Sequence, residues 1–237
     1  MTLQVSNLSF SYGPKQALKD VNLSVEQGQF AALLGPNGAG KSTFFALLTR
    51  LLTAKSGEIT VAGYDLSASP QAALAQMGIV FQKPTLDLDL SVRQNLSYFA
   101  ALHGLSGKLA NRRIDAALDR LNMVERSGEK VRALNGGHRR RTELARALIH
   151  NPSVLLLDEP TVGLDAESRK DITDHVHSLA CSGMTVLWAT HLTDEIQMTD
   201  QLVLLHQGQI LQDGMAKDLC DGLDLQTWFL AKTKAPA

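Results

Sequence analysis

The sequence predicts an α/β fold with a parallel sheet, an antiparallel β region at its start and a helical region inserted in its middle. Short, wholly apolar runs occur at 30–34 and 154–157, and a third strand-like run at 185–188 is apolar after Thr185. Such runs are typical of strands buried on both faces of a sheet. Helix-like segments alternate with these runs in the second half, as in βα units. Between 92 and 148, apolar residues instead recur at helical spacing.

The composition is that of an ordinary folded protein. Of 237 residues, 44% are hydrophobic and 20% are charged, which allows one large domain. The formal net charge of -1 shows no basic surplus that would indicate a nucleic-acid partner. Neither a signal-peptide pattern nor the roughly 18–20 apolar residues of a spanning helix is present, so we expect a cytoplasmic protein.

The first half of the chain contains five further predicted elements. Period-two alternation predicts strands at 3–10, 21–25 and 58–61, and a short apolar run predicts a buried strand at 78–81. A glycine-rich loop follows the strand at 30–34, and the stretch 42–52, free of glycine and proline, predicts a helix.

The second half predicts further helices and a closing hairpin. Glycines divide the helical region into several helices, and helical segments are predicted at 166–180 and 193–199. The apolar run 202–205 is followed by Gln207-Gly208 and a second apolar pair, which predicts a β-hairpin.

The glycine-rich loop matches the phosphate-binding pattern of P-loop NTPases. Its glycines let backbone N–H groups face one anion, and the helix that follows adds the positive end of its dipole. The Lys41 ammonium suits the terminal phosphates, and the Ser42 hydroxyl suits Mg²⁺. The predicted nucleotide-binding residues of this loop are Gly35, Pro36, Asn37, Gly38, Ala39, Gly40, Lys41, Ser42 and Thr43.

Two adjacent acids, Asp158 and Glu159, end the apolar run at 154–157. Open α/β sheets bind ligands at the carboxyl ends of their strands, where a carboxylate can reach Mg²⁺ held at the phosphate loop. The pattern therefore predicts Asp158 as a metal ligand and Glu159 as the group that polarises the attacking water.

A third motif narrows the class of NTPase that the sequence predicts. Leu134-Asn-Gly-Gly-His138, followed by Arg139 to Leu148, resembles the signature of ABC transporter ATPases, whose common form is LSGGQ. The motif order agrees from about residue 2 to residue 215. The resemblance implies a RecA-like P-loop core in an ATPase domain at 1–222, with a helical subdomain at about 83–150. A C-terminal helix and tail would occupy 223–237.

The resemblance also implies roles for single residues. Tyr12 would stack on adenine, and Gln82 would contact Mg²⁺ and water and couple the site to a membrane partner. His191 would contact the γ-phosphate, and Asp165 belongs to the loop that crosses to a partner subunit. The signature residues that would contact the ATP of that partner are Asn135, Gly136, Gly137 and His138.

One phosphate loop and one signature per chain imply a dimer, most simply a homodimer, which binds two ATP molecules with Mg²⁺ between its subunits. The family pairs such dimers with an integral-membrane permease, so we expect a peripheral location on the cytoplasmic face of the cell membrane. Asn135 and His138 replace the common serine and glutamine. Asn135 keeps a donor and an acceptor. At His138, a bound triphosphate favours the imidazolium and the following arginines oppose it.

The stretch Leu86 to Leu96 resembles export-type ATPases of the drug and Na⁺ efflux kind, which act with small separate permeases. The signature variant with its arginine run also resembles that of a bacterial branch associated with quinone-dependent alcohol oxidation. The sequence names no cargo.

Two other functions are open at this point. A soluble ABC ATPase of translation or repair usually carries two nucleotide domains or a long coiled-coil insertion, and the sequence has neither. A regulatory binder that does not hydrolyse ATP is disfavoured by the presence of Lys41, Asp158, Glu159 and His191.

Overall fold

The computed structural model describes residues 1–234 and contains two sheets. The larger sheet has six strands in the order β10-β9-β3-β8-β7-β6, and all neighbours are parallel except β9 and β10. Its strands are β3 (Phe30–Leu34), β6 (Met77–Val80), β7 (Val154–Asp158), β8 (Thr185–Thr190), β9 (Gln201–His206) and β10 (Gln209–Met215).

The central strands are buried on both faces because their side chains are apolar on both faces. Every residue of β3, β7 and β8 is buried. In β8, Val186 and Trp188 pack into one core, and Leu187 and Ala189 pack into the other. The predicted parallel α/β core is confirmed.

The second sheet is antiparallel, in the order β2-β1-β4-β5. Its strands are β1 (Leu3–Tyr12), β2 (Lys15–Val25), β4 (Ser56–Val61) and β5 (Tyr64–Asp65). Leu3 and Val5 of β1 pack with α1 (Lys41–Leu48) and the larger sheet in one core. The predicted antiparallel start of the chain is also confirmed.

The inserted region between β6 and β7 is helical. It contains α3 (Val92–Leu102), α4 (Gly107–Arg120) and α5 (Gly136–Leu148). Ser91 begins α3 with a reciprocal capping box to Gln94, which fixes the entry of the chain into the helix. Apolar faces of all three helices share a core with α6 (Ala166–Cys181) and one face of the sheet.

The structure differs from the sequence prediction in several elements. The helix predicted at 42–52 ends earlier, and Arg50 already has a left-handed φ of 58°. The helix predicted at 193–199 is wrong, since only Thr193–Glu195 forms a 3-10 turn and Ile196 is extended. The chain does not continue as a helix here because the Glu195 side chain is buried among side chains at the ends of neighbouring strands.

The remaining helices are short. They are α2 (Pro70–Ala75) and α7 (Ala216–Cys220), neither of which was predicted, and the C-terminal α8 (Leu225–Lys234). Trp228 of α8 is buried against Leu202 and Leu204 of β9. Of the C-terminal helix and tail predicted at 223–237, residues 235–237 lie outside the described residues. Within residues 1–234, no helix combines the length and hydropathy needed to cross a membrane.

Candidate active site

The phosphate-binding loop connects β3 to α1 at the carboxyl edge of the larger sheet. Gly40 stands directly before α1 with a φ of 113°, a conformation that strongly favours glycine. Behind the loop, the turn between β9 and β10 is close, and Gly208 donates its N–H to the Ala39 carbonyl at 2.8 Å. The loop is therefore held from the side by the last hairpin of the sheet.

A cavity of about 510 Å³ opens over this loop. Tyr12, Gln82 and Glu159, which lie far apart in the sequence, line it together with loop residues 36–43. Tyr12 is half-exposed and packs edge-on against Phe10, with 5.0 Å between the ring centroids. Its phenol face is thus available at one end of the cavity.

Sequence reasoning missed five residues that line the same cavity. They belong to the start of β2 and to the turn between β9 and β10, and they are Lys15, Gln16, Ala17, Gln207 and Gly208. The Gln207-Gly208 dipeptide signals only a turn, and nothing local shows that this turn lies beside the phosphate loop.

Glu159 is the point on which the predicted catalytic side chains converge. Its carboxylate lies 3.2 Å from Lys41 Nζ and 3.3 Å from His191 Nδ1, and it accepts a hydrogen bond from Gln82 Nε2 at 2.8 Å. The backbone of Glu159 has a φ of 46°, a left-handed conformation that is rare for a residue with a side chain and that costs free energy. The strand end therefore turns sharply and presents this carboxylate to the cavity.

Lys41 and Asp158 are buried charges beside Glu159. Lys41 donates to the Gly35 carbonyl at 2.5 Å, and its side chain is almost fully enclosed. Burial, and after it the charge of Glu159, raise the pKa of Asp158 from 3.8 to about 6 against the opposing charge of Lys41. The ionised form of Asp158 is therefore destabilised at this site, and a bound divalent cation would stabilise it.

The backbone around Gln82 is fixed by charged side chains of α5. Arg140 donates to the carbonyls of Phe81 and Gln82 at 2.8 and 3.1 Å. Glu143 pairs with Arg140 at 2.7 Å and accepts the Thr85 N–H at 2.9 Å. Arg140 and Glu143 are buried. Charge-assisted hydrogen bonds that are shielded from water therefore hold the loop that carries Gln82 to the helical region.

The signature residues do not line this cavity. Asn135 caps α5 by accepting the His138 N–H at 2.8 Å, and Asn135 and Gly136 are exposed. Asp165 caps α6 through two hydrogen bonds from Ser168, and these bonds lower the pKa of Asp165. The first turn of α6 packs closely against the signature, since a Cβ on Gly137 would lie 2.7 Å from Ser168 Oγ.

The comparisons with known proteins agree with this geometry. The family model described as ABC transporter matches residues 18–162. The linearmycin resistance ATP-binding protein of Bacillus subtilis is 36% identical over 93% of this chain, and a daunorubicin resistance ATP-binding protein of Streptomyces coeruleorubidus is 40% identical over 88%. This chain spans 71% and 66% of the lengths of these two relatives.

A solved structure shows the same fold over nearly the whole chain. The cbiO1 subunit of Clostridium perfringens, part of the ABC transporter complex cbiONQ, superposes with a TM-score of 0.86 at 28% identity and covers 97% of this chain and 94% of its own. With the family match, the relatives and the converging site residues, this chain belongs to the ATP-binding subunits of the ABC transporter family and is an ATPase.

Proposed function

We propose that this chain energises a transporter: two copies bind two ATP molecules between them, and hydrolysis drives a separate membrane permease. The observation that carries the proposal is the convergence of Lys41, Gln82 and His191 on Glu159 at a cavity formed by the phosphate loop. A regulatory binder would have no need of this arrangement.

The two ends of the cavity bind different parts of the nucleotide. Tyr12 stacks on the adenine ring, and backbone N–H groups at the end of the loop and the start of α1, residues 40–43, hydrogen-bond the phosphates. Lys41, which already lies between loop carbonyls and Glu159, contacts the terminal phosphates.

Hydrolysis depends on Glu159 and its neighbours. Glu159 orients the attacking water and accepts its proton, since the residue lines the cavity. Gln82 donates to that carboxylate and fixes its rotation, and His191, whose Nδ1 lies 3.3 Å from the same carboxylate, contacts the γ-phosphate. The Asp165 loop and the signature belong to the facing subunit's site.

The residues beside the phosphate loop fit Mg²⁺. Ser42 and Gln82 line the cavity and offer oxygen atoms, and the raised pKa of Asp158 shows a carboxylate whose negative charge is poorly compensated. Hard oxygen ligands of this kind are those that Mg²⁺ prefers. When bound, the metal would neutralise charge that develops on the phosphates.

The dimer is inferred from the separation of the two nucleotide motifs. Asn135, Gly136, Gly137 and His138 lie outside the cavity of their own chain, so they contact ATP only if a second copy faces it. The free N–H groups at the start of α5 supply an anion-binding end for that purpose.

The relatives that confer drug resistance favour export, and a permease partner places the chain peripherally on the cytoplasmic face of the cell membrane. The helical region, which we assign to a subdomain at 83–150, would contact that permease. No nucleic-acid partner is proposed, given the formal net charge of -1.

Size-exclusion chromatography with ATP tests the proposal. Glu159→Gln should bind ATP, hydrolyse it far more slowly and elute as a dimer with ATP and little Mg²⁺, because an amide cannot accept the proton of water. Lys41→Ala is the matched control, since it removes the charge that faces the phosphates and should remain monomeric. A Glu159→Gln protein that hydrolyses ATP at the parent rate would refute the assignment of Glu159.

A further inference from the structure

Glu195 is a buried carboxylate that none of the motifs contains. It ends the 3-10 turn Thr193–Glu195, and only 2% of its surface is exposed. It accepts hydrogen bonds from the Trp188 indole at 3.0 Å, from the Thr190 hydroxyl at 2.5 Å and from the Thr161 hydroxyl. These neutral donors satisfy a charge that is otherwise costly to bury.

Two of the three donors lie next to the proposed catalytic residues. Thr161 follows Glu159 by two positions, and Thr190 directly precedes His191. The backbone ladder between β7 and β8 ends at this point, where Glu159 N donates to the Ala189 carbonyl at 3.0 Å. Glu195 therefore joins the two chain segments just beyond their last backbone hydrogen bond.

Neighbouring contacts fix the same turn in place. Asp194 pairs with Arg169 of α6 at 2.9 Å, and the Thr190 hydroxyl accepts the Leu192 N–H at 2.9 Å. The turn is thus held to α6, which begins directly after Asp165, as well as to the end of β8. Glu195 itself does not line the cavity, so an effect of this residue on hydrolysis must pass through Thr161 and Thr190.

We propose that Glu195 is a positioning residue that holds Glu159 and His191 in register for ATP hydrolysis by binding Thr161 and Thr190 together. The inference rests on the roles proposed above for Glu159 and His191. Misplacing a reacting group by about 1 Å can cost on the order of 10²-fold in rate. Tyr12 lies on another element, and the phosphate loop meets Thr190 through a backbone bond from Gly35 N to the Thr190 carbonyl at 3.2 Å, whereas Glu195 binds the Thr190 hydroxyl. ATP affinity should therefore depend little on Glu195.

Glu195→Ala and Glu195→Gln in the full chain test the proposal. At temperatures well below unfolding, Glu195→Ala should lower kcat on the order of 10²-fold and leave the Kd for ATP within about twofold. Glu195→Gln should recover most of the rate, because its amide oxygen can accept from Trp188 and Thr190 while its NH₂ donates to the Thr161 oxygen. If Glu195→Ala does not fold, Thr161→Val carries the test, and a parent-like kcat would overturn the proposal.

Asp200→Ala is the control for loss of stability alone. Asp200 is a second buried carboxylate near the same turn, and it accepts from His177 Nε2 at 2.9 Å and from Gln197 N at 2.7 Å. It directly precedes β9 and does not join the ends of β7 and β8. This variant should lower the melting temperature but keep kcat per folded molecule. An equal kcat loss in both alanine variants would overturn the positioning role.

Glu159→Gln, assayed in parallel, separates the two proposals. If Glu159→Gln is inactive while Glu195→Ala keeps the parent kcat, only the role of Glu195 is wrong. If Glu159→Gln keeps the parent rate, the catalytic assignment is wrong and the inference about Glu195 fails with it.

Discussion

Asp158→Asn should stabilise the protein at neutral pH while abolishing its Mg²⁺-dependent activity. Asp158 is 9% exposed, and burial together with the charge of Glu159 raises its pKa from 3.8 to about 6. Ionised Asp158 therefore destabilises the folded state. The pKa difference corresponds to about 3 kcal/mol, which is an upper estimate for a substitution that also removes the attraction of Lys41.

The sign of the pH dependence follows from proton binding. Because the folded-state pKa lies above that of the unfolded chain, the folded protein holds a proton between about pH 4 and pH 6 that the unfolded chain releases. The free energy of unfolding of the parent therefore falls as the pH rises through this window and is lowest above it. The gain from Asp158→Asn should be largest above about pH 6 and vanish towards pH 4.

Thermal unfolding without nucleotide or metal measures this effect. For a chain of this size, 1 kcal/mol shifts the melting temperature by roughly 2–4 °C, so Asp158→Asn should gain several degrees at pH 8 and little at pH 4.5. Asp119→Asn, at an exposed position of α4, is the control and should change the unfolding free energy by less than about 0.5 kcal/mol. A loss of stability at pH 8, or a gain that persists on acidification, would refute the reasoning.

Two further substitutions probe the borders of the site. Gly208→Ala should raise the Kd for ATP several-fold, because its Cβ would lie 2.5 Å from the Ala17 carbonyl and Gly208, whose N–H binds the Ala39 carbonyl of the phosphate loop, would have to shift. Gly63→Ala, which also has a left-handed φ but open space around it, should not. Burial and the charges of Arg126 and Arg141 lower the pKa of His138, so the imidazole is neutral above about pH 7. His138→Gln and the parent should then show matching pH profiles of ATP-driven dimerisation between about pH 7 and 8, and a stronger response in the parent would indicate that bound phosphate charges this histidine.

The strands and the phosphate loop were predictable because their signals are local. The run 30–34 is apolar at every position, and the structure forms β3 over the same residues. Gly40 and Lys41 follow at a fixed spacing that only a loop folded around an anion explains. The meeting of Gln82, Glu159 and His191 was expected only from the family resemblance, because no local pattern reports which strand ends are neighbours.

The parts that were missed depend on tertiary burial. Apolar and polar residues at 193–199 have helical spacing, but Glu195 gains more from the three buried donors than from continuing a helix. Charged residues on a helix usually face solvent, yet Arg140 and Glu143 are buried against the Gln82 loop. Sequence spacing alone predicts neither the missing helix at 193–199 nor the buried charges of α5, because both depend on which other segments pack against these residues.

Glu159 is thus held from two directions by contacts that differ in kind. Gln82 comes from a loop whose carbonyls are bonded to Arg140 of α5, so a displacement of the inserted helices moves Gln82 with them. His191 comes from the end of β8, which Glu195 joins to the segment after β7 and which lies within the larger sheet. We therefore propose that a movement of the helical region relative to the sheet would change the hydrogen bond between Gln82 and Glu159 more than the contact between Glu159 and His191. On this proposal, the contact through Gln82 links the helical region to ATP hydrolysis.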